Sequence, residues 1–150
     1  MNSLFNTESQ QTVITRLNNL SETSQPTWGK MTITQMLSHC QKPLEVANGN
    51  LKLDTKIGFA KKLVLKLFKP LMYNDKPWKR NLGTVKEFKI ADTEEFNIEK
   101  SKLIAVINEF SKKKDTTNWP EHPFFGTFST DQWGKMQYKH LDHHLTQFGV

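Results

Sequence analysis

Three of the five histidines in this chain fall within five consecutive positions: His140, His143 and His144. His140 and His144 are four residues apart, so on a helix they share a face. Two imidazoles one turn apart can hold one divalent ion. The segment ahead of them, Ser129-Thr130-Asp131-Gln132, has the form of a capping box: a hydroxyl, then Gln three residues later. A helix from there to about Phe148 is predicted. With Trp133 as origin and about 100° per residue, His140 and His144 lie within roughly 20° of it on either side, and His143 sits about 80° away at the edge. Met136, Leu141 and Phe148 fall on the same inward half, as do Gln137 and Gln147, whose amides are candidates to orient a ligand or substrate. Lys135, Lys139 and Asp142 are predicted to point outward.

An inward imidazole pair needs partners, since an unpaired buried polar group costs on the order of 1–3 kcal/mol. A shared metal ion supplies one; ordinary hydrogen bonds in the core are the other solution. A third ligand should come from another helix, as in other helical metal sites. His39 is the candidate, at the edge of the apolar stripe Ile33, Met36, Leu37, Cys40, Leu44. Three neutral imidazoles leave a coordination position open, the pattern of a catalytic site. His143, three residues from His140, is the rival to His144 and otherwise a rim residue. His122 precedes a proline in a loop, and pattern alone does not place it.

The elements that would position these groups read as helical. One segment runs from about Glu8 to Leu20, with Val13, Leu17 and Leu20 on one side. A second starts at the capping box Thr32-Ile33-Thr34-Gln35, and Pro43 should kink it or end it early. A third, about Asp54 to Leu71, would bury Ile57, Ala60, Val64, Leu67, Phe68 and Leu71 and turn Lys62, Lys66 and Lys69 to solvent. The region from Pro70 to about Ala91 reads as irregular, although Val85–Ile90 alternates like a short strand. A fourth helix after Asp92 or Thr93 would bury Phe96, Leu103, Ile104, Ile107 and Phe110. The loop from Trp119 to Phe128 is too apolar to stay exposed; it should fold back and wall the pocket. The echo of Trp28-Gly29-Lys30-Met31 in Trp133-Gly134-Lys135-Met136 is not read as a structural repeat.

The chain has 150 residues, the size of one domain spanning 1–150, large enough to form a core without disulfides. Its one cysteine, Cys40, excludes an internal disulfide and reads as core. No stretch approaches a membrane span, and the first residues do not form a secretory signal; a cytoplasmic protein is expected. The net charge is +6, with eight basic residues and one acid, Asp75, between Lys56 and Arg80. That block could attract an anionic partner, whether nucleic acid, lipid headgroups of a membrane surface or an acidic substrate; a solvated lysine face is the plain reading. There is no recognisable nucleic-acid-binding motif. Phe59 and Phe68 sit where a core face would want them.

Three pieces together, Met36-Leu37-Ser38-His39, the His122-Pro123-Phe124-Phe125-Gly126 loop and the run from His140 to Gly149, resemble the DinB/YfiT-like superfamily, in an uncharacterised bacterial branch. The resemblance covers about Trp28 to Phe148. It implies an all-α, four-helix bundle of up-down-down-up topology, here with an additional short helix and long loops. It implies metal ligation by one His of the second helix and two of the last, matched by His39, His140 and His144. Characterised relatives are metal-dependent, thiol-using S-transferases and an isomerase. The resemblance thus implies a divalent-metal enzyme (Zn, Ni or Fe) acting on a small-molecule substrate, with a low-molecular-weight thiol and a homodimer among its expectations. It names no catalytic residue beyond the ligands. The alternative is a non-catalytic helical module with an apolar cavity and a basic face for an acidic partner.

Overall fold

The computed structural model describes residues 1–53 and 58–150, the side chains of 59–62 excepted. Its regular structure is helical: α1 (Thr7–Asn18), α2 (Ile33–Asn48), α3 (Phe59–Phe68), α4 (Phe96–Ser111) and α5 (Thr130–Gln147), with 3₁₀ turns at Lys69–Met72 and Lys86–Phe88. The turn at Lys86–Phe88 stands where the alternation hinted at a strand. Among the described residues the only β pairing is an isolated bridge between His122 and Gly126. No helix of the described residues is long and apolar enough to cross a membrane.

Four helices pack in a ring, α2 against α4 and α5, and α1 against the same two. Both predicted capping boxes form, at Thr32–Gln35 and Ser129–Gln132, which fixes where α2 and α5 begin. Asn6 caps α1, its side chain accepting from Ser9 N, and the helix buries Val13 and Leu17. Leu20 is buried just beyond its end.

α2 does not end at Pro43. It runs to Asn48 and stops at Gly49 in the left-handed conformation. An interior proline costs about 3 kcal/mol, but α2 is buried nearly all round, from Ile33 to Ala47, and that packing outweighs the lost bond. The Pro43 carbonyl also accepts from Gln137 Nε2 at 2.9 Å, which ties α2 to α5. Gln41 Nε2 donates to the buried carboxylate of Glu99 at 2.7 Å, tying α2 to α4. Ile104, expected in the core, is only half-buried.

The chain before α1 lies directly on α5. Leu4 N donates to Gly134 O, and a Cβ at Gly134 would sit 2.2 Å from Ser3 Oγ and 2.5 Å from Phe5 Cδ2. That approach lets Phe5 stack on Phe110, centroids 4.8 Å apart, beside Trp119.

The loop after α4 folds back as its composition requires, burying Trp119, His122 and Phe128. α3 reverses expectation. Val64, Leu67, Phe68 and Leu71 are exposed, while Lys69 donates to the Thr127 carbonyl and lies 4.6 Å from the Phe128 ring centre. Helical spacing shows that two faces differ, not which one meets the body. Ile57 lies outside the described residues, as do the side chains of Ala60 and Lys62.

Candidate metal centre

His39 on α2 and His140 and His144 on α5 converge. All three are buried, and one ring nitrogen from each lies within 4.8 Å of the others. His39 Nε2 and His140 Nε2 are 3.1 Å apart. The rings of His39 and His144, and of His140 and His144, stand edge to face at 4.8 Å.

Two hydrogen bonds fix which nitrogens face inward. His39 Nδ1 lies 2.8 Å from the Phe88 carbonyl. A carbonyl only accepts, so Nδ1 carries the hydrogen and Nε2 keeps a lone pair. The 3₁₀ turn at Lys86–Phe88 presents that carbonyl. His144 Nδ1 lies 2.9 Å from Gln147 Oε1, while Gln147 Nε2 donates to the Trp28 carbonyl at 2.7 Å. The amide is thereby oriented with its oxygen toward His144, whose Nε2 is left bare. Nδ1–H bonds of this kind are how ligating histidines are normally oriented.

Gln147 is itself held by a close approach. Gly29 has φ +84°, and a Cβ there would lie 2.5 Å from Gln147 Nε2. Thr27 N and Oγ1 both donate to Gln147 O, at 2.8 and 3.0 Å. The Thr27–Gly29 segment is therefore stapled to the end of α5.

Burial holds the imidazoles neutral. It pushes His39 below its ordinary pKa against the opposing Phe88 bond, and His144 down to about 3. Burial, then repulsion from His144, His39 and His143, holds His140 well below. Neutral imidazole is the ligating form.

Two of the three donors stand as a divalent ion would hold them, and the third would have to close in from the 4.8 Å spread of the set. With bonds of about 2.0–2.1 Å, two nitrogens on one ion stand about 3.3 Å apart in a tetrahedron and about 2.9 Å in an octahedron. The 3.1 Å between His39 and His140 falls between these. One nitrogen of the triad is orphaned: His140 Nδ1 has no partner. His140 must otherwise give its Nε2 hydrogen to His39, because two facing lone pairs at that distance repel. An ion would replace that hydrogen bond at both Nε2 atoms and leave the hydrogen of His140 on Nδ1, which has no acceptor beside it.

The other predicted residues separate. His143, half-buried, lies outside the cluster, edge-on to Trp28 at 5.9 Å and tilted against Trp78 at 5.8 Å. Gln147 orients His144, whereas the Gln137 amide bonds Pro43 instead. Trp133 and His122 are buried together, ring centres 5.6 Å apart, with Phe128. Trp133 is two turns, about 10 Å, along α5 from His140. The Trp119–Phe128 loop thus packs on that remote stretch, and the ring neighbours of His122 are Phe124, Phe125, Phe128 and Trp133, not the triad. His122 Nδ1 accepts from Phe124 N and Phe125 N at 3.2 and 3.3 Å, so this histidine braces a turn. Cys40 is buried against Met36, and burial pushes its thiol far up. It is a core residue.

What covers the triad is Trp78, 5.9 Å from His140. Trp78 Nε1 and Lys139 Nζ both donate to the Leu71 carbonyl, at 3.0 and 2.8 Å, and Lys139 also reaches Asn74 O and Oδ1. Lys139, expected in solvent, is therefore buried. Helix geometry aimed it away from the histidines, but the segment after α3 folds over it. Arg80 stacks on Trp28, 4.6 Å from the ring centre. The Phe88 carbonyl, Trp78 and the Gly29 approach all escaped the sequence reading. A backbone acceptor leaves no side-chain pattern, and the Trp28-Gly29 echo was the one visible hint.

A family profile described as "Protein of unknown function (DUF1569)" matches residues 2–149. No curated protein and no solved structure matches the chain.

Proposed function

The chain belongs to the DUF1569 family, whose description assigns no reaction, and we propose its function from the site: a divalent-metal-dependent enzyme with His39, His140 and His144 as ligands. The observation that carries this is the paired locking of His39 and His144 at Nδ1, by Phe88 O and Gln147 Oε1, with bare Nε2 atoms turned toward a common centre. Imidazole ligation is compatible with Zn, Ni or Fe. Such an ion, when bound, supplies Lewis acidity that makes a water or thiol nucleophilic at neutral pH.

The chain's own residues do the rest. Phe88 and Gln147 hold two rings in one tautomer and orientation. Trp78 and His143 form the wall beside the triad, and Trp28 backs His143. A small-molecule substrate would lie against these rings, with bulk water excluded by the two indoles. In this reading the ring of α1, α2, α4 and α5 is a DinB-like four-helix bundle of up-down-down-up order, with α3 as the added short helix. The reaction class is thiol S-transfer or a related hydrolysis or isomerisation.

Elemental analysis of protein purified without chelator tests the proposal. One ion per chain is expected, lost in His140→Ala. By mass action a metal at 100 times its Kd adds about 2.7 kcal/mol, or about 5–10 °C in Tm for a chain of this size. The reading fails if no stoichiometric metal is held and His140→Ala alters neither uptake nor melting.

A further inference from the structure

Eight large apolar side chains are exposed among the described residues, and five of them belong to one short stretch: Leu63 (57%), Val64 (51%), Leu67 (76%), Phe68 (51%) and Leu71 (44%). At about 100° per residue they cover one face of about 140°. The opposite side carries Lys66 and Lys69, and that side meets the body. Lys69 bonds the Thr127 carbonyl, and the Lys66 stem lies over Gly126, 3.6 Å from where a Cβ would stand. The amphipathic helix is thus mounted inside out, its cationic side anchored and its apolar side presented to water. A contiguous patch of this kind marks a contact surface.

Charge decides what it contacts. Lys76, Lys79 and Arg80 are exposed beyond the patch, and the single acid in the block, Asp75, pairs with the Met1 amino group. A second copy brought up by a two-fold axis would set one lysine-rich face against another, with no carboxylate in the block to spare. The complement must be apolar and negatively charged. We propose that α3 and the turn after it dock on the surface of an anionic phospholipid bilayer, with Leu63, Leu67, Phe68 and Leu71 entering the headgroup boundary and the flanking bases meeting lipid phosphates.

The test is flotation of the full chain with phosphatidylcholine vesicles with and without phosphatidylglycerol. Binding is expected with phosphatidylglycerol at low salt, weakened about tenfold or more by high salt and by Leu67→Glu with Phe68→Glu. Ile98→Glu, at an exposed apolar position on α4, should bind like the parent. Both variants should melt like the parent, because the altered side chains touch solvent. Three results would each overturn the proposal. One is no difference between the two vesicle types. Another is a large loss of stability in the Leu67→Glu, Phe68→Glu variant, which would place this face in the chain's own core. The third is a dimer in sedimentation that the same variant dissociates, which would make the occupant a second copy.

Discussion

Gly29→Ala isolates the support of the triad from the triad itself. Two penalties act at this position. An L residue at φ +84° costs about 1–2 kcal/mol. The new methyl would also stand 2.5 Å from Gln147 Nε2, so the amide must move. Moving it breaks the bond to Trp28 O and releases His144 Nδ1. Each lost bond is worth about 1 kcal/mol, and the buried donor left behind adds a comparable amount. The expected destabilisation is about 4–5 kcal/mol. Gly49→Ala is the control: its φ is +82°, but nothing lies within 4 Å of the added Cβ, so only the conformational cost of about 1–2 kcal/mol applies. Urea unfolding of both metal-free variants measures the difference. Zinc affinity by chelator competition should fall about 10–100-fold in Gly29→Ala, as when an outer partner of a ligating histidine is lost, and stay unchanged in Gly49→Ala. Equal destabilisation of the two, with equal zinc affinity, would refute the claim that Gly29 matters through Gln147.

Three further outcomes are expected. His122 is held at about pKa 3 in the folded chain by burial and then by Lys69, against about 6.5 when unfolded. The unfolded state therefore binds the extra proton between these values, and stability falls as pH drops through that window. His122→Asn removes this one titration, so its destabilisation at pH 7 should shrink by about 2 kcal/mol at pH 5; an unchanged difference in urea unfolding would sink the argument. Gly134→Ala should destabilise strongly despite better helix propensity, because its methyl meets Ser3 Oγ and Phe5; a more stable variant in thermal melts would contradict the close packing. Lys139→Met deletes three donor contacts, and a cost of about 2–3 kcal/mol with easier acrylamide quenching of Trp78 is expected; no change in quenching would show that Lys139 does not hold the segment over the triad.

Local rules carried much of the way. Two capping boxes placed the starts of α2 and α5, and rotation about α5 from Trp133 separated His140 and His144 from His143. Those rules concern one helix at a time, and each miss involves a second element. Pro43 was judged by its own helix, whereas α4 and α5 bury the helix on both sides of it. Lys139 was aimed at solvent correctly until the chain after α3 closed over it. The apolar face of α3 was assigned to the core because apolar faces usually go there; Lys69 makes the polar contact with the body instead. The Phe88 carbonyl is a backbone group 49 residues from His39, a meeting that only the folded chain reveals.

Leu71 belongs to two surfaces at once. Its side chain lies in the outward apolar patch, and its carbonyl oxygen receives both Trp78 Nε1 and Lys139 Nζ. One rigid peptide thus serves as a pivot between the outer face of the molecule and the indole roofing His140. A force on the patch has a short lever arm to that roof: shifting the Leu71 peptide must stretch two hydrogen bonds together or carry Trp78 along. The exterior turn and the indole beside His140 thus share one hydrogen-bond acceptor, with Asn74 holding Lys139 from the same segment.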